Sequence, residues 1–175
     1  NQRGVRAMLI YPMNALVSDQ IARLRSIIGD EDNKFLNTLT KYAGDIRRPQ
    51  FGMYTGRTQY PGNYLSKSIN LQIAESYEKS YLIQDDLTED EKAEKRKDIE
   101  GLKKIHKYPA KNMAAFVEAL KNNTLDKYDS SNDAELMLRY EMQQHTPDIL
   151  ITNYSMLEYM LIRKVENNIW EETKK

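Results

Sequence analysis

In this chain an apolar run passes into a helical pattern with almost no loop between them, which fixes a strand and a helix end to end. In PDILITNYSMLEYMLIR (147–163), Ile149, Leu150 and Ile151 stop at Thr152 and Asn153, and Met156, Leu157, Met160 and Leu161 then recur at helical period. Near the start, VRAMLIYP closes at Pro12 and is followed at once by NALVSDQIARLRSIIG. There Ala15, Leu16, Ile21, Leu24, Ile27 and Ile28 give the apolar face, and Gly29 is the expected stop. Asn153 or Ser155 is the expected cap of the later helix, with Ser155 and Glu158 spaced as a capping box. PQFGMYTG is a further strand, ended by Gly56, and Gly52 inside it calls for a bulge or close packing. DEDNKFLNTLTKYAGDIRRP, between the first helix and that strand, reads as a short helix and a loop.

Strands that alternate with helices imply a parallel sheet with crossover connections. Open α/β sheets bind ligands at the carboxyl ends of their strands. Those ends carry Pro12, Met13 and Asn14, then Thr55, Gly56, Arg57 and Thr58, then Thr152 and Asn153. Small polar residues there also serve as plain helix caps, so spacing alone leaves both readings open. Free N–H groups at the two helix starts attract phosphate, which would suit a polyanion held by its backbone.

The middle of the chain has a different character. No strand pattern appears from residue 63 to residue 145. Ile69, Ile73 and Tyr77 share a helical face, Thr88 and Glu91 form a T-x-x-E capping box, and Met113, Phe116, Val117 and Leu120 line another helix. Asn132 and Glu135 are expected to cap a helix over 135–144. The expected organisation is a first part over 1–62, a helical insertion over 63–145 and a continuation over 146–175.

Composition narrows the function classes. The chain has 175 residues, 40% apolar and 30% charged, which suits one domain with a real core. No apolar run approaches the roughly eighteen residues of a membrane span, so no membrane partner is expected. The absence of cysteine removes disulfides and thiolate chemistry and fits a cytoplasmic setting. His106 and His145 are the only histidines, and their spacing supports no metal site. The net charge of zero divides into +4 over 1–60, −3 over 61–145 and −1 over 146–175. The basic part holds Arg3, Arg6, Arg23, Arg25, Arg47, Arg48 and Arg57, which permits an anionic partner without requiring one.

Three blocks carry a family likeness. YPMNALVSDQIARL resembles motif Ia of superfamily-two helicases of the DEAD/DEAH-box type. GMYTGRT resembles their motif Ib region, and PDILITNYSMLEYMLIR is similar to the segment just before the acidic DEAH motif. The nearest likeness is to large bacterial helicases with a long insertion ahead of that segment; IWEETKK looks like the approach to the acidic strand. The resemblance implies a partial RecA-like parallel sheet with a large helical insertion. It implies that Pro12, Asn14, Thr55, Gly56, Arg57, Thr152 and Asn153 contact a nucleic-acid backbone, with Gln20 in the same motif as Asn14.

The departures are as informative. The chain has no G-x-x-x-x-G-K-[ST] loop and no DEAD or DEAH sequence, so neither part on which phosphoryl transfer depends is in it. Asp85, Asp86, Glu89, Asp90 and Glu91 lie in a polar helix start and read as solvated charge. The chain, beginning at Asn1, is expected to be an excised piece of a helicase or translocase, without catalytic residues of its own. ATP and magnesium are then expected for the intact parent and none for this piece. Truncating a sheet bares an edge, so self-association is a further expectation, which a concentration-independent monomer in light scattering would contradict. Two other readings remain. One is a helical protein–protein module, with Tyr64, Tyr77, Tyr81 and Tyr108 as a docking face. The other is a stand-alone α/β enzyme, which lacks a nucleophile elbow, a metal cluster and a Gly-rich loop.

Overall fold

A computed structural model describes residues 3–12, 14–29, 34–44, 47–59 and 67–174. The fold is α/β. Among the described residues, four strands form one all-parallel sheet in the order β1-β4-β2-β3. They are β1 (Ala7–Tyr11), β2 (Phe51–Tyr54), β3 (Glu135–Leu136) and β4 (Ile149–Asn153). The sheet has the parallel form that a partial RecA-like domain requires. Around it lie α1 (Asn14–Ile27), α2 (Lys34–Ala43), α6 (Arg139–Gln144), α7 (Tyr154–Ile162) and α8 (Asn167–Thr173). A separate helical unit holds α3 (Lys67–Tyr81), α4 (Glu89–Lys104) and α5 (Met113–Lys121).

The chain divides into two compact units, one of residues 1–60 with 130–175 and one of residues 61–129. The insertion expected over 63–145 is therefore shorter at its far end, and 130–145 belong with the sheet. The helix expected over 135–144 differs too. Glu135 and Leu136 pair with β2 as a strand, and α6 begins only at Arg139. Its cap is not Asn132 with Glu135; instead the buried Glu141 carboxylate accepts from the N–H groups of Met137 (2.9 Å) and Leu138 (3.0 Å). Glu135 is drawn off by Arg25 of α1, which grips its carboxylate through two bonds of 2.7 Å. That partner is 110 residues away, so no local pattern announces it.

Alternation along the strands sorts the core into two layers. On one face, Tyr54, Leu136 and Leu150 pack with Met142, Met156, Met160 and Ile169 from α6, α7 and α8. Gly52 sits in this layer because a Cβ there would lie 2.4 Å from Met142 Sδ; it marks close packing rather than a bulge. On the other face, α1 packs against β1, β2 and β4 with Val17 and Ile21 buried, and Ile28, just past the end of α1, is buried too. The buried stripe of α1 is thus turned from the expected one, and Leu16 and Ile27 are exposed. Each such aliphatic side chain contributes about 1.5–3 kcal/mol when fully buried. In α7, Met156 and Met160 are buried as expected, whereas Leu161 is exposed. No helix among the described residues is long and apolar enough to cross a membrane.

The 61–129 unit realises the local signals closely. Thr88 caps α4, and its box with Glu91 is complete. Asn112 caps α5, whose Met113, Phe116, Val117 and Leu120 are all buried. Tyr77 stacks on Phe116 at 6.2 Å, and Tyr81 meets Tyr108 edge-on at 5.7 Å. These three tyrosines are spent on one another and on Phe116, while Tyr64 lies outside the described residues.

Candidate nucleic-acid interface

Parallel pairing fixes where the strand tips lie. Ile10, Thr152 and Tyr54 occupy one row across β1, β4 and β2, and Tyr11 sits beside Asn153 one residue further on. The residues that leave these strands, from Pro12, Asn153 and Thr55, therefore emerge side by side along one rim. The seven residues singled out by resemblance all belong to that rim. Pro12 is exposed at the end of β1. Asn14 opens α1, but its side chain, like Met13, lies outside the described part.

The turn after β2 is built by its threonines. Thr58 N donates to Thr55 O (3.1 Å) and closes the turn. The Thr58 hydroxyl donates to Met53 O (2.6 Å) and accepts from Thr55 N (2.9 Å), while Arg57 N donates to Thr55 Oγ1 (3.2 Å). Both threonines are buried, so the hydroxyl of Thr55 serves the turn rather than the rim surface. Gly56 and Arg57 are the turn's exposed residues. Nothing described lies within 4 Å of a Cβ built on Gly56, so its outward side is open.

Thr152 also faces inward. It is fully buried and its hydroxyl donates to Tyr54 O (2.8 Å), clipping β4 to β2 at the rim. Thr55 and Thr152 hold the rim in shape, and neither hydroxyl is open to a ligand. Asn153 is the cap of α7: its Oδ1 accepts from Met156 N (2.9 Å). The helix starts at Tyr154, so the alternative cap at Ser155 is not used.

Beneath the rim lies a polar cluster that no local sequence pattern announces. Tyr54 OH donates to Glu166 Oε1 (2.8 Å) and accepts from Gln143 Nε2 (2.7 Å). Arg163 also pairs with Glu166, which is wholly buried. Arg139 donates to Thr55 O (2.6 Å) with its guanidinium over the Tyr54 ring at 5.6 Å. Burial, reinforced by the hydrogen bond to Glu166, raises the Tyr54 phenol above its ordinary value. Arg139 thus anchors the 55–58 turn from below. Its only sequence signal is a single cation in an otherwise mixed stretch.

The basic excess of the first part is mostly engaged elsewhere. Arg47 grips Asp148 at 2.5 and 2.6 Å, at the amino end of the sheet. Arg48 donates to Ile28 O (2.9 Å), and Arg3 donates to Gln50 Oε1 (2.6 Å). Burial, then the neighbouring Arg47, lowers the Arg3 guanidinium from its ordinary value. Of the arginines singled out from the sequence, Arg57 is the one carried by a rim turn.

The chain is 38% identical over 191 residues to the Druantia protein DruE of Escherichia coli (strain UMEA 4076-1). That match covers 98% of this chain and 10% of the relative, so the 61–129 unit lies within it. The chain spans about a tenth of the relative's length. No protein-family model matches the chain, and no solved structure does.

Proposed function

We propose that this chain is the nucleic-acid-facing part of an ATP-dependent DEAD/DEAH-box helicase or translocase. The observation that carries the reading is the row of three adjacent parallel strand tips, β1, β4 and β2, each bearing one of the helicase-like blocks. Three blocks far apart in sequence converge on one rim, where the two that lead into α1 and α7 also present helix N-termini. A rim of this kind suits a sugar-phosphate backbone, held by exposed N–H groups and by Arg57. Thr55 and Thr152 act in this reading as positioning residues, because their hydroxyls bind backbone carbonyl and amide groups of the rim itself.

ATP and magnesium belong to the longer protein in this proposal. The chain has no phosphate-binding loop, and among the described residues no group of three or more His, Cys, Asp or Glu could hold a metal ion. In this reading the nucleotide and its magnesium are held by residues of the longer protein. The chain alone is expected to release no phosphate from ATP in a malachite-green assay with single-stranded DNA present; turnover above the blank refutes this.

The interface itself is tested by fluorescence anisotropy with a labelled oligonucleotide at two salt concentrations. Binding should weaken with salt, and Arg57→Ala should weaken it further while reducing the salt slope by about one. Salt-insensitive binding, or an Arg57→Ala variant indistinguishable from the parent, overturns the reading.

A further inference from the structure

We propose that Tyr154 is a base-stacking platform, so that the rim takes a single strand with unstacked bases rather than a closed duplex. This rests on the reading of the rim as a nucleic-acid interface and adds to it a contact beyond the backbone. Tyr154 is the first residue of α7, directly after the tip of β4. Its surface is 66% exposed. Among the described residues its side chain has no hydrogen bond, ion pair or ring contact. Of the aromatics nearby, Tyr54 is buried and hydrogen-bonded to Glu166 and Gln143, Tyr159 carries Arg163 over its ring at 6.0 Å, and Tyr11, at the tip of β1, is half-buried, which leaves Tyr154 as the more exposed ring beside it.

Position makes the exposed ring informative, since single exposed apolar groups are ordinary on any surface. Cα–Cβ bonds in a helix tilt toward its N-terminus. At the first helical position a side chain is therefore carried back past the helix start, toward the rim. β4 is flanked by β1 and β2, so Tyr154 is seated between the Pro12 tip and the turn that carries Arg57. A cation for phosphate beside an open aromatic face for a base is the combination by which proteins hold single strands without reading sequence. A duplex keeps its base faces covered and offers that ring nothing.

The test compares a labelled twenty-residue oligothymidylate with an abasic oligomer of the same phosphate count. Stacking of one base is worth about 1–3 kcal/mol, a factor of roughly five or more. The parent chain should prefer the oligothymidylate by at least about fivefold. Tyr154→Ala should abolish the preference while leaving abasic affinity unchanged, and Tyr154→Phe should retain it. A parent that binds both oligomers equally, or a preference that survives in Tyr154→Ala, overturns stacking and leaves the backbone rim standing. Failure to bind either oligomer overturns the rim reading and this inference with it. Tyr154→Ala removes an exposed side chain, and an unchanged circular-dichroism melt keeps the comparison valid.

Discussion

At the amino end of the sheet, one carboxylate gathers its neighbours: Asp148 takes both nitrogens of Arg47 and the Gln50 N–H (2.9 Å), and Arg6 approaches to 4.0 Å. At the carboxyl end, among the described residues, the Arg57 guanidinium has no ion pair, and the polar side chains that are buried there bind the backbone of the rim. Both ends are rich in arginine and small polar residues. They differ at one cation: Arg47 has been supplied with a carboxylate, and among the described residues Arg57 has not. A basic count along the chain therefore says little about binding until each arginine has been assigned its acceptor. In the proposed reading, the end whose cation is left to solvent is the one that meets an anion from outside.

The largest effect is expected at Asp148. Asp148→Ala strands Arg47 and releases the Gln50 N–H, and removing one member of such a partly buried pair costs about 3 kcal/mol or more. Urea unfolding should lose that much, while the folded fraction still binds oligonucleotide as the parent does. A stability change under about 1 kcal/mol, the range of exposed pairs, would mean that water replaces the carboxylate there as readily as it does on the surface.

A smaller effect is expected beneath the rim. Tyr54→Phe removes a donor to buried Glu166 and an acceptor from Gln143, at a cost of about 1–3 kcal/mol. Its signature is alkaline. The folded phenol titrates above the ordinary value of 10.0. Its contribution is complete below that value and is lost as pH rises past it toward the higher folded value, because only the unfolded chain gives up the proton there. The parent should lose stability above pH 10 more steeply than Tyr54→Phe, as read by urea midpoints across that range. Equal slopes would place Tyr54 outside the titrating set.

The smallest expected change sharpens the contrast. Arg57→Ala should alter stability by less than about 0.5 kcal/mol, as an exposed side chain with no local role does. Its effect is expected in oligonucleotide affinity instead. A variant that unfolds early would show that Arg57 is tied into the fold as firmly as Arg47.

Much of this was legible from short-range pattern. The strands β1, β2 and β4, the Thr88–Glu91 box and the buried face of α5 each depend on residues a few positions apart, where chain geometry dictates the outcome. What escaped depends on partners far away. Glu135 reads as a helix-capping acid until Arg25 claims it, and two residues of strand are too short to carry a period. Thr152 at a strand end looks the same whether its hydroxyl turns toward solvent or, as here, toward Tyr54 O. The stripe of α1 departs from its apolar pattern because Leu16 and Ile27 are apolar yet exposed, while Val17 completes the buried row.

The 61–129 unit enters between β2 and β3, which lie side by side and run the same way. Parallel neighbours cannot be joined by a hairpin; the chain has to travel back the length of a strand before the second can begin. The Gln59 carbonyl is fastened to Arg139 N (3.1 Å) past the end of β2, whereas the Ser130 carbonyl is fastened to the Gln50 side chain (2.7 Å) before its start. Residues 61–129 thus stand in the connection between the carboxyl end of β2 and the amino end of β3. Anyone shortening this protein must leave a bridge in its place, long enough to run from one end of the sheet to the other.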